Sequence, residues 1–304
     1  MSSKKPLFAF FGTPCFAVRV LDALEAHGLV PALVITAPDK PAGRGLELKA
    51  APAKVWAQER GIDVVTPESM RPVESSSTSV PAHLGSSQHS HPHLMESLLN
   101  TDWDVFVVAA YAKLIPKTIL DIPRRGTLNV HPSLLPKFRG ASPVYSAILA
   151  DERETGVTIM QLDEQMDHGP IVAQARIEIA SEDWPLKGSV LLDLLATEGC
   201  NLLAETLPEW VAGAITAEPQ DESKATYTKK FTDEDALVDL ADNARKNLLK
   251  IRAFDSKQFD APQRAHFFTP DGKRVIVTEA ELRDGKLEIL KVIPEGKKET
   301  TYRP

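Results

Sequence analysis

Apolar positions in the first third of the chain come alternately as short continuous runs and as helical spacings. Leu7-Phe-Ala-Phe-Phe11 is an unbroken run stopped by Gly12, and Phe16, Val20 and Leu24 then recur one helical turn apart. Ala32 to Ile35 repeats the run, Ala50 to Gln58 the helical spacing, and Ile62 to Val65 the run again. Such β and α alternation predicts an α/β fold, a doubly wound and mainly parallel sheet. Asp104 to Ala110 is apolar on both faces, as a central parallel strand must be when helices cover it from both sides. Gly126 to Val130 is a shorter strand that runs into polar residues, Gly156 to Leu162 and Ile171 to Ile179 are two more, and Pro185 to Val211 reads as one long helix. These elements define a first domain over residues 1–211. Residues 212–229, with Pro219-Gln-Asp-Glu-Ser at their centre, lack apolar anchors and read as a linker. Residues 230–304 form a smaller second domain: a helix over Ala236 to Phe254, then strands at His266 to Phe268, Lys273 to Thr278 and Lys286 to Val292. The Asp271-Gly and Asp284-Gly turns between those strands predict a β-rich, OB-like barrel.

Charge changes the picture less than its distribution does. The net charge of −7 excludes a protein that coats nucleic acid by charge alone. Yet residues 224–304 hold 17 Lys and Arg against 14 Asp and Glu, a balance of +3, which leaves −10 on residues 1–223. An acidic body with a mildly basic end can hold a polyanion at one chosen place, and it is equally an ordinary solvated surface. The two cysteines, Cys15 and Cys200, cannot build a disulfide framework or a four-sulfur zinc site, so a reducing, cytoplasmic setting is expected. The run at Leu7 is too short for a signal peptide or a membrane span, so no membrane partner is expected. Residues 74–93 are rich in Ser and His, with His83, His89, His91 and His93 at close spacing. No acidic or sulfur ligand accompanies these imidazoles, so the segment is expected to be a solvated loop and the protein to hold no metal.

Candidate chemistry gathers at the carboxyl ends of the strands, where an open α/β sheet binds its ligands. Gly12-Thr-Pro14 has a single glycine and is no dinucleotide fingerprint. Asn129-Val130-His131, followed by Pro132 to Pro136, sits where the fifth strand of the sheet runs out. Positions i and i+2 of a strand share a face, so Asn129 and His131 can present an amide and an imidazole side by side, two donors for an oxyanion. The same pair also suits a role in satisfying turn backbone. Met166-Asp167-His168-Gly169-Pro170 is a tight corner able to fix the direction of the Asp167 carboxylate. Aimed at His131, that carboxylate would favour the protonated imidazole; otherwise it is a turn former.

These residues, with Ser133-Leu-Leu-Pro136, Arg139-Gly-Ala-Ser-Pro143, Thr155-Gly-Val-Thr158 and Asp167-His-Gly-Pro170 in this order and spacing, resemble the folate-dependent formyltransferases. Gly12 to Ala17 and Pro38-Asp-Lys-Pro-Ala-Gly-Arg-Gly45 are similar to the branch that formylates the methionine carried by initiator tRNA. The resemblance implies a Rossmann-like formyltransferase domain and an enzyme that moves the formyl group of 10-formyltetrahydrofolate onto the α-amino group of methionyl initiator tRNA. It implies catalytic roles for Asn129, His131 and Asp167, with no metal and no redox cofactor. It assigns the folate to Val108, Ala110, Tyr111 and to Ser133, Leu134, Leu135 and Pro136. It assigns the tRNA to Arg44, with Lys40 and Lys49 beside it, on a loop from Asp39 to Lys49, and it implies a monomer. A formyltransferase acting on an amino sugar would use the same three catalytic residues, and a binding module that had lost the reaction would share the fold. The chain departs from the family at His168, where most members have Thr, in the Ser- and His-rich stretch, and over residues 255–304, which match weakly.

Overall fold

The structure is a computed structural model that describes residues 5–42, 47–70, 91–256 and 264–303. Its contacts divide the chain into two compact units, one of residues 1–131, 158–174 and 199–220, the other of residues 132–157, 175–198 and 221–304. Neither unit is one continuous stretch of chain.

The first unit is built on strand β1 (Phe8–Gly12), helix α1 (Cys15–Ala26), β2 (Leu33–Ile35), the hairpin strands β3 (Lys40–Ala42) and β4 (Glu47–Lys49), α2 (Pro52–Glu59) and β5 (Asp63–Val65). It continues through α3 (His91–Leu99), β6 (Val105–Ala109), α4 (Lys117–Leu120) and β7 (Thr127–His131). β1 pairs in parallel with β2 and β6, β2 with β5, and β6 with β7. The five residues of β1 and of β6 are all buried, which fits their unbroken apolar sequences. Phe11 packs on Phe106 with ring centroids 5.3 Å apart, in a core completed by Leu33, Ile35, Leu94, Leu98 and Trp103. Each such side chain contributes about 1.5–3 kcal/mol by leaving water. Gly12 closes the turn into α1, and a Cβ there would stand 2.6 Å from that of Ala17 and 2.7 Å from the carbonyl oxygen of Ala109.

Beyond β7 come β8 (Arg139–Gly140), α5 (Pro143–Leu149), β9 (Glu154–Gln161), β10 (Ile171–Glu178) and α6 (Gly188–Ala212). The main sheet has seven strands in the order β10-β9-β7-β6-β1-β2-β5, and β9 runs antiparallel to β7. The mainly parallel α/β sheet expected from the sequence is therefore present.

The second unit holds β11 (Tyr227–Thr228), α7 (Ala244–Ala253), β12 (His266–Phe268), β13 (Arg274–Arg283), β14 (Lys286–Pro294) and β15 (Thr300–Thr301). β12 to β15 form a four-stranded antiparallel sheet in chain order, and among the described residues its outer strands do not pair with each other, so barrel closure is not seen there. The stretch expected to be an unanchored linker is anchored by polar groups: β11 pairs with β8, and the buried Arg139 guanidinium donates to both Glu222 carboxylate oxygens, at 3.0 and 2.6 Å, and to the Tyr227 hydroxyl at 3.2 Å. Gly140, at φ +112°, lets Thr228 approach, since a Cβ would meet its carbonyl oxygen at 2.7 Å.

Two expected elements differ. The helix expected over Ala236 to Phe254 spans only Ala244–Ala253, because Asp239 accepts from the Ala241 N–H and Asn243 caps α7 by accepting from the Lys246 N–H. Such short polar side chains stabilise turns and helix starts at the expense of helix interior. The Ser- and His-rich loop was expected to reach residue 93, whereas α3 begins at His91; residues 71–90, with His83 and His89, lie outside the described residues.

Candidate active site

β7 positions the first two site residues. Leu128 and Val130 are buried on one face, while Thr127, Asn129 and His131 alternate onto the other. Thr127 donates its hydroxyl proton to the Leu120 carbonyl at 3.0 Å, which fixes the inner end of that face. Asn129 is half-buried, and among the described residues its amide has no side-chain partner. His131 is buried and lies opposite Thr158 in the register of β7 with β9.

The third residue comes from the corner between β9 and β10. Asp167 Oδ2 stands 3.7 Å from His131 Nδ1, with the two side chains only 14% and 5% exposed. At that separation the pair is within ion-pair reach but beyond a direct hydrogen bond, and both side chains are largely out of water. The structure thus brings Asp167 to His131 across 36 residues of sequence and keeps Asn129 on the face that His131 shares.

Two of the five non-glycine residues at positive φ among the described residues are expected site residues. Asp167 has φ +47° and Ala110, just past β6, has φ +51°. Residues with a Cβ rarely enter the left-handed region, and those that do concentrate at functional sites. Gly169, two residues after Asp167, is required for close packing: a Cβ there would fall on the carbonyl oxygen of Gln161. Gly169→Ala is therefore expected to destabilise the protein by about 1–3 kcal/mol through overpacking, read as a lower urea midpoint. An unchanged midpoint would contradict this packing.

The other site residues expected from the sequence are placed as follows. Val108 is buried, Ala110 exposed and Tyr111 half-buried, its hydroxyl on the Met70 sulfur at 3.3 Å and its phenol pushed upward by burial. In the second unit, the Ser133 hydroxyl donates to the Lys137 carbonyl at 2.7 Å, Leu135 is buried, and Leu134 and Pro136 are half-buried. Lys40 and Lys49 are both exposed and face each other as a cross-strand pair of the β3–β4 hairpin, whereas a loop was expected. Arg44 lies outside the described residues.

Further side chains outside the expected site residues are tied down as follows. Lys113 donates to the carbonyls of Pro67 and Glu68 and is pushed downward by burial, with Lys40 acting in the same direction. His168 Nδ1 lies 2.6 Å from Asp163 Oδ2, so this side chain is tied to its own loop. Gln220, in the stretch expected to be a linker, donates to the carbonyls of Asp167 at 2.8 Å and of Gly169 at 2.7 Å. Cys200 is buried and its thiol pushed up to about 12, which leaves it protonated and inert at neutral pH. Among the described residues, no group of His, Cys, Asp and Glu could hold a metal ion, and no helix is long and apolar enough to cross a membrane.

Comparison with known proteins settles the family. The family model described as formyl transferase matches residues 4–187. This chain belongs to the formyl transferase family. Among its relatives, the methionyl-tRNA formyltransferase of Chloroflexus aggregans is 43% identical over 230 residues, covering 76% of this chain and 67% of that protein. The methionyl-tRNA formyltransferase of Burkholderia multivorans is 37% identical over 293 residues, covering 94% and 84%. Solved structures share the fold: a sugar N-formyltransferase from Shewanella has a TM-score of 0.62 at 17% identity, covering 92% of this chain and 99% of that one. The N-formyltransferase from Helicobacter canadensis, solved with folinic acid and dTDP-3-aminofucose, has a TM-score of 0.60 at 16% identity, covering 93% and 94%. At such identities the two structures speak for the fold alone.

Proposed function

We propose that this formyl transferase moves the formyl group of 10-formyltetrahydrofolate onto the α-amino group of methionine carried by initiator tRNA. The observation that carries the chemistry is the 3.7 Å approach of Asp167 to His131, on the strand face that also presents Asn129. The amine nitrogen attacks the formyl carbon, a C–N bond forms, and the carbonyl π electrons move to oxygen. The Asn129 amide and a His131 ring N–H donate to that oxyanion. Donors fixed in advance in a dry site stabilise developing charge without reorganising, which is the largest single contribution in many acyl transfers. Asp167 orients the His131 imidazole and, through a water, takes the proton that the attacking nitrogen sheds. The intermediate then expels N10 with the bonding pair, a proton returns to N10, and tetrahydrofolate leaves.

Strain at Ala110 and Asp167 supports a folate position along the backbone of Val108, Ala110 and Tyr111, because a pterin is flat, neutral and read by backbone polar groups. The assignment of Ser133, Leu134, Leu135 and Pro136 to the folate rests on the family resemblance. Lys40 and Lys49 support the tRNA reading. Like charges directly opposite on a hairpin repel each other, and an acceptor-stem phosphate beside Arg44 would relieve that repulsion. The relatives at 37% and 43% identity, both methionyl-tRNA formyltransferases, favour tRNA over an amino sugar. In this reading residues 1–211 carry the chemistry, 212–229 connect, and 230–304 contact tRNA; the enzyme works as a cytoplasmic monomer.

The test offers the protein formyl-folate with methionyl-tRNA and, separately, with nucleotide-linked amino sugars. Formylation of methionyl-tRNA alone is expected, with kcat/KM falling steeply as salt rises through counterion release. Formylation of the sugar alone would overturn the substrate while leaving the three catalytic assignments standing.

A further inference from the structure

We propose that Gln220 is a positioning residue for formyl transfer: its side-chain amide holds the Asp167 loop in the one backbone conformation that directs the carboxylate at His131. The inference rests on the catalytic reading just given for Asp167. At φ +47°, Asp167 occupies the left-handed region, which an aspartate tolerates without preferring, so its surroundings select that conformation. Two supports hold the loop. Gln161 of β9 donates its N–H to the Pro170 carbonyl at 2.9 Å, and its own carbonyl sits where a Gly169 Cβ would be. Gln220 Nε2 donates to the Asp167 carbonyl at 2.8 Å and to the Gly169 carbonyl at 2.7 Å.

The two N–H bonds of one planar amide diverge at a fixed angle. They therefore hold the two carbonyls on either side of His168 at a fixed separation, which a single hydrogen bond could not do. Gln220 is itself held in register. Glu218 and Ile171 exchange both backbone hydrogen bonds, each at 2.8 Å, and place the side chain two residues further on over the loop. A chain segment 53 residues away in sequence thus sets the direction of Asp167 without touching the reacting atoms.

The experiment uses the full chain and three substitutions: Gln220→Leu removes both donors and keeps the bulk, Gln220→Glu sets a carboxylate against two carbonyls, and Gln220→Lys restores N–H donors. For a misdirected carboxylate, kcat in the Leu and Glu variants is expected to fall about 10–100-fold, with KM for formyl-folate within about threefold of the unsubstituted protein. Melting temperatures are expected to stay close to that of the unsubstituted protein, and Gln220→Lys to recover most of the lost kcat. Unchanged kcat in the Leu variant would overturn the proposal. So would a loss of kcat accompanied by an equal loss of thermal stability that Gln220→Lys does not restore. Asp167→Asn measured alongside separates the two levels: activity in that variant removes the catalytic reading itself, whereas an inactive Asp167→Asn beside a fully active Gln220→Leu removes the positioning role alone.

Discussion

His131→Ala is expected to lower kcat for formyl transfer by about 10²–10³-fold, the usual cost of deleting one donor to a developing oxyanion. The imidazole is buried and stands 3.7 Å from the Asp167 carboxylate, so it works in a weakly screened setting where one hydrogen-bond donor counts heavily. Truncation leaves β7 intact, because strand pairing with β6 and β9 runs through the backbone and the core-facing side chains are Leu128 and Val130. KM for formyl-folate should therefore change little, since the donor acts on the oxyanion and not on the pterin. Steady-state kinetics with the donor varied check both halves. A raised KM at constant kcat would make His131 a ground-state binding residue.

Asp167→Asn is expected to cost about 10²–10⁴-fold in kcat, the range for loss of a general base, and to leave stability nearly unchanged. Asparagine is the informative replacement here. It tolerates positive φ as aspartate does, so the loop can keep its φ of +47°, whereas alanine would add backbone strain to the loss of the carboxylate. The substitution removes a negative charge beside His131 and the proton acceptor together. An Asn variant with normal kcat would show that the corner at Asp167 is a turn and nothing more.

Much of this fold is legible in the sequence, for a physical reason. β1 and β6 are buried on both faces, and a strand with no solvent face must be written as an unbroken apolar run. The β3–β4 hairpin left no such trace: Pro41 and Leu48, opposite each other on its short strands, are both exposed, so no buried apolar run marks it. The helix expected over Ala236 to Phe254 starts only at Ala244, because Asp239 and Asn243 form local hydrogen bonds that compete with helix. Asn129 and His131 could be placed on one face from strand periodicity alone. Their partnership with Asp167 could not be derived that way, since the corner that brings it close depends on Gly169 fitting over Gln161 and on Gln220 from a distant segment. Family resemblance supplied that link, and the 3.7 Å separation is the physical observation behind it.

The central claim is that His131 and Asp167 act on the formyl group as one unit. The rate of formyl transfer by the His131→Ala, Asp167→Asn double variant, measured beside both single variants, tests it most directly. Residues that act together are strongly non-additive, so the double variant should be no more than about threefold slower than the slower single variant. Losses that multiply, or a single variant at the full rate, would show two independent side chains where this account has one device.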